Sequence, residues 1–90
     1  MVYLLHFERP FGHARHYLGW APDRHVRARL HEHETGRGAN LLRHVRAAGI
    51  AWEVVRRWPG ATRQEERRLK KQGGASRHCP VCRATGRYHR

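Results

Sequence analysis

Two short apolar runs, VYLLHF at 2–7 and ARHYLGWA at 14–21, constrain the fold more than any other feature of this chain. Both carry the aliphatic and aromatic residues that suit strands. Between them, ERPFGH at 8–13 holds Pro10 and Gly12 and reads as a turn. So short a connection pairs the strands antiparallel. Because strand side chains alternate, Tyr3, Leu5 and Phe7 share one face of the first strand. On the second, Tyr17 and Gly19 are separated from His16, Leu18 and Trp20.

The segment PDRHVRARLHEHE (22–34) predicts a helix with Asp23 as its N-cap. Val26 and Leu30 are one turn apart, and Arg29 and His33 fall within about 60° of Val26, so both share its inward face. TGRG (35–38) breaks this helix. ANLLRHVRAAG (39–49) predicts a second, with Leu41, Val45 and Ala48 as its apolar stripe, Leu42 widening it, and Gly49 at the C′ position. IAWEVVRRW (50–58) alternates as a third strand. ATRQEERRLKKQ (61–72) follows as a third helix, opened by a Thr62/Glu65 capping box. The expected fold class is α+β, with order β-β-α-α-β-α: a small three-stranded, mainly antiparallel sheet flanked by three helices over residues 1–72. Residues 73–90 form a basic tail with a CxxC pair. The tail has no hydrophobic period, so it is either disordered or held by something other than a core.

Ninety residues make one domain, which buries only about 60% of its unfolded surface. The formal charge is +12, from 19 Lys and Arg against 7 Asp and Glu. That imbalance predicts a polyanionic partner, most simply nucleic acid, bound in a salt-sensitive way. No apolar run approaches the ~20 residues that span a bilayer, and no secretory leader is visible. The expectation is a cytoplasmic protein without a membrane partner. Cys79 and Cys82, in HCPVC, supply only two of zinc's four ligands. His78, His89 or residues of another chain would complete a Zn²⁺ site. A reducible pair and two inert thiols are the other readings.

Tyr17 just before the helix and Arg29 and His33 on its inward face stand out as candidates for chemistry, and Tyr3 and Glu66 join them through the motifs considered next. Each also has a structural reading. The tyrosines suit a half-buried sheet, Arg29 a solvated helix face, and His33 is one of nine histidines. Glu66 is placed to pair with Lys70 one turn on. Glu65 belongs to the capping box.

Taken in order and spacing, these motifs resemble the GIY-YIG nuclease superfamily, which includes the N-terminal domain of the bacterial excinuclease C subunit. VYL contributes Tyr3, and YLG contributes Tyr17 and Gly19. RLHEH contributes Arg29, Leu30 and His33, and the glycine-containing TGRGANLLR follows. ERRLKK contributes Glu66, Leu69 and Lys71. The resemblance spans about residues 1–72. It implies a metal-dependent DNA endonuclease that hydrolyses phosphodiester bonds with one Mg²⁺ or Mn²⁺ on Glu66. Arg29 would grip the phosphate, Tyr3 or Tyr17 would handle the water proton, and His33 would assist. DNA would be the main partner, with a homodimer or a partner protein supplying specificity. The family's late asparagine has no counterpart, since Asn40 is the sole asparagine. The alternative is therefore a catalytically silent nucleic-acid-binding module of the same fold.

Overall fold

The computed structural model describes residues 1–73 and 75–85. It is an α+β domain built on one three-stranded antiparallel sheet in the order β2-β1-β3. The strands are β1 (Val2–Phe11), β2 (Ala14–Trp20) and β3 (Trp52–Trp58). Helices α1 (Val26–Glu34) and α2 (Asn40–Ala47) lie between β2 and β3. Helix α3 (Arg63–Lys71) follows β3, then the short α4 (Ala75–His78) and α5 (Pro80–Thr85). None of these helices is long and apolar enough to cross a membrane.

The central position of β1 explains its composition. A strand covered on both faces reads as a continuous apolar run, and Val2, Tyr3, Leu4, Leu5 and Phe7 are all fully buried. Tyr3, Leu5 and Phe7 pack with Val26, Leu42 and Val45 beneath α1 and α2. Val2 and Leu4 point the other way, to Leu18, Ala61, Cys79 and Cys82, with Leu69 of α3 against them. The hairpin is tighter than the sequence suggests. Pairing continues to Phe11 opposite Ala14, so the turn shrinks to Gly12 and His13, with Gly12 at φ +60°. A bulge between His6 and Phe11 absorbs the register change.

Two expectations about the helices differ from the structure. Asp23 caps nothing. A single 3₁₀ turn (Asp23–His25) precedes α1, and no side chain caps it. The Asp23 carboxylate instead accepts from the Met1 ammonium at 2.7 Å and the Gly60 N–H at 2.8 Å. It thereby ties three separated points of the chain together. Residues 75–85 of the tail are also packed on the sheet: α4 contacts β2 and α5 contacts β3. The capping box at Thr62 and Glu65 is present as expected, with both reciprocal bonds at 3.2 Å.

Candidate functional site

Two groups of reactive side chains lie on opposite faces of the hairpin. The first gathers around Tyr3. In the β1–β2 register Tyr3 sits opposite Gly19, and Leu5 opposite Tyr17, so both phenols share the α1 face. Their ring centroids are 6.4 Å apart. Tyr3 is 0% exposed, and its ring occupies the space above Gly19. A Cβ there would lie 2.5 Å from the ring carbon Cζ. The glycine of the YLG motif thus makes room for its cross-strand tyrosine.

His33, at the end of α1, is also 0% exposed. Its Nε2 lies 2.7 Å from the Tyr3 hydroxyl, and its Nδ1 accepts the Ala39 N–H at 3.3 Å. A backbone N–H can only donate, so in the neutral ring Nε2 carries the proton and donates to Tyr3. Gly38 closes over this ring, and a Cβ there would overlap His33 Nδ1. The TGRG segment therefore does more than end a helix.

Burial holds the His33 pKa below its usual value, the Arg29 charge adds to this, and Glu32 opposes it. A histidine kept neutral by folding takes up a proton more readily when unfolded. Its stabilising effect is complete above about pH 6.5 and is lost as pH falls from there toward the lowered folded value. The melting temperature should fall across that window, and His33→Gln should flatten part of the fall. His6, His16 and His78 are depressed as well and share the slope. Thermal melts across that range, run on both proteins, check this.

Arg29 is more exposed than the helical period suggested, although its guanidinium still acts on the Tyr3 phenol. Its side chain is 48% exposed and lies 3.5 Å from Glu32. Val26 and His33 take the face of α1 toward the sheet, which leaves the guanidinium on the rim, where it keeps its hydration. From there it lines a groove of about 530 Å³ with Trp20, Pro22, His25, Glu32 and Arg63. Glu66, on α3, is only 14% exposed on its side chain and pairs with Lys70 at 3.2 Å. The i,i+4 pairing exists, yet the carboxylate does not stand out in water. Burial raises the Tyr3 pKa well above that of a free phenol; Tyr17 and Glu66 push it further and Arg29 opposes. Tyr17 is raised mainly by burial and also by Glu66, while Lys70 and Arg29 oppose. Both phenols therefore feel Arg29 and Glu66, and the five residues form one electrostatic neighbourhood. Tyr17 is half-buried, which makes it the more accessible phenol.

The second group lies on the reverse face. His6 and His16 are direct cross-strand partners. Their ring nitrogens, His6 Nδ1 and His16 Nε2, are 3.2 Å apart. Cys79 Sγ is 3.4 Å from His6 Nδ1, and Cys82 Sγ is 3.6 Å from His6 Nδ1 and 3.4 Å from His16 Nε2. All four donor atoms lie within 4.8 Å of one another, so the cluster could hold a metal ion. Of the expected companions of the cysteines, His78 does not join them. His78 turns its Nδ1 to the Arg56 guanidinium at 3.3 Å and meets Trp58 edge-on, and His89 lies outside the described residues. The missed ligands were signalled by the hairpin itself. Once Tyr3 pairs with Gly19, His6 must pair with His16, on the face away from the tyrosines.

The chain matches no family model, no curated protein and no solved structure.

Proposed function

We propose that the cleft between α1 and α3 hydrolyses phosphodiester bonds in nucleic acid, with DNA the expected substrate, as a GIY-YIG-like endonuclease. The observation that carries this reading is the convergence of two phenols, a guanidinium and a shielded carboxylate from four separate elements. The formal charge of +12 agrees with a polyanionic substrate.

Cleavage requires a placed water, neutralisation at phosphorus and help for the leaving oxygen. Arg29, on the groove rim, offers a planar fork that matches two phosphate oxygens and keeps its charge. Tyr17, the accessible phenol, orients the attacking water through its oxygen. Tyr3 is buried and accepts the His33 Nε2–H, so its own O–H remains as a donor. His33 has neither ring nitrogen available for water and acts as a positioning residue. Glu66 is a single hard-oxygen donor, which fits a divalent cation that keeps most of its waters. Such an ion would be Mg²⁺ or Mn²⁺ and would supply positive charge beside the phosphate. Lys70 must release the carboxylate to admit it.

Supercoiled plasmid incubated with Mg²⁺ or Mn²⁺ tests the proposal. The expected result is metal-dependent nicking that Glu66→Gln reduces by roughly 100-fold or more. Binding without nicking would favour the catalytically silent module, for which the Glu66–Lys70 pair and the absent late asparagine speak. Equal nicking by wild type and variant would remove Glu66 from the mechanism.

A further inference from the structure

We propose that His6, His16, Cys79 and Cys82 bind one Zn²⁺ ion that clasps residues 75–85 to the sheet face behind the cleft. This site goes beyond the cleavage reading and stands without it.

The distances carry the inference. Tetrahedral zinc with N at about 2.0–2.1 Å and S at about 2.3 Å sets neighbouring ligands about 3.3–3.4 Å (N to N) and about 3.5–3.6 Å (N to S) apart. Here the separations are 3.2 Å between nitrogens and 3.4, 3.6 and 3.4 Å between nitrogen and sulfur. Hydrogen bonding does not account for this packing. His6 Nδ1 has three partners within 3.6 Å, yet a ring nitrogen has either one proton or one lone pair to offer. Atoms that all converge on one point satisfy a cation at that point.

The surroundings suit such an ion. Both sulfurs are buried and form no disulfide. The Cys82 N–H is directed at Cys79 Sγ at 3.5 Å and stabilises a thiolate there. Two thiolates neutralise the ion, so the buried site has no net charge. A neutral imidazole at each histidine offers one ring-nitrogen lone pair, from His6 Nδ1 and His16 Nε2, to the ion. Thiolate and imidazole donors select zinc over Mg²⁺ or Ca²⁺, which take oxygen. With all four positions filled by protein, no coordination site remains for substrate, and the role is structural. Loading exchanges two thiol protons for the ion and releases both to solvent.

The full chain, purified without chelator, should contain one zinc per molecule by mass spectrometry. After stripping, cobalt(II) should titrate to one equivalent with the intense visible and thiolate charge-transfer absorption of a tetrahedral site, and zinc should displace it. Stripping should lower the melting temperature by roughly 10 °C or more. His16→Ala should weaken cobalt binding by more than the roughly 10–100-fold lost when a group that only hydrogen-bonds to a ligand is removed. His78→Ala and Glu66→Gln should leave the spectrum intact; the latter separates this site from the cleavage centre. A weak octahedral spectrum, no binding at one equivalent, or a Cys79–Cys82 disulfide in metal-free purified protein would overturn the proposal. The wild-type titration decides even if the His16 variant fails to fold.

Discussion

Gly38→Ala is expected to lower the melting temperature by about 12 °C or more, the largest loss from adding a methyl group at any described glycine. The reason is local. Gly38 has no positive φ, so its backbone alone would tolerate alanine. The obstacle is His33, whose ring lies where the new Cβ would go. That ring is fully buried and bonded at both nitrogens, so it cannot swing aside into solvent. Overpacking costs about 1–3 kcal/mol. Breaking the buried Tyr3–His33 bond adds about 1–3 kcal/mol. Against a total stability of about 5–13 kcal/mol for a domain of this length, the sum is severe. Gly49→Ala provides the contrast. It sits at φ +74° with open space around it, so it bears only the left-handed strain of roughly 1–2 kcal/mol. A double-mutant cycle isolates the cause. In a His33→Ala background the Gly38→Ala penalty should vanish or turn slightly favourable. If Gly38→Ala costs as much there as in the wild type, the ring is not the obstacle.

This dependence on glycine shows where sequence reading succeeds and where it stops. The hairpin, its register and the pairing of Tyr3 with Gly19 follow from period-two alternation and a short turn. Helices α2 and α3 follow from an apolar stripe, a C′ glycine and a capping box, all short-range signals. The Glu66–Lys70 pair was legible as an i,i+4 spacing, whereas the shielding of the carboxylate was not. Less was legible wherever distant segments meet. Asp23 looks like an N-cap, yet its carboxylate is claimed by Met1 and Gly60. Gly38 looks like a helix breaker, and only the fold sets it against His33. The tail has no hydrophobic period because two short helices rest on the sheet through Cys79, Cys82 and partly buried Val81. Six residues of α5 are too few to display a stripe. His6 and His16 were hidden differently: the register places them side by side, but nothing within the hairpin announces the cysteines more than 60 residues away.

Arg29→Ala should cut plasmid nicking by about 100- to 1,000-fold while barely changing stability. The two halves of that statement come from one observation, a half-exposed guanidinium whose charge acts on both phenols. With its side chain 48% exposed and its pair with Glu32 at 3.5 Å open to water, Arg29 contributes little to folding, since exposed pairs are worth about 0–1 kcal/mol. Its charge nevertheless reaches the Tyr3 and Tyr17 phenols, where the reacting phosphate would sit. A donor aimed at charge that develops in the transition state is typically worth about 2.7–4 kcal/mol in kcat. Arg27→Ala is the control. It removes an exposed arginine two residues away on the same helix, and should cost only the few-fold loss of one backbone phosphate contact, most visible at low salt. Arg29→Lys separates charge from shape. A lysine keeps the charge but loses the planar fork, so it should recover only part of the activity. Equal small losses from Arg27→Ala and Arg29→Ala would make Arg29 an ordinary solvated arginine and would take the phosphate grip out of the mechanism.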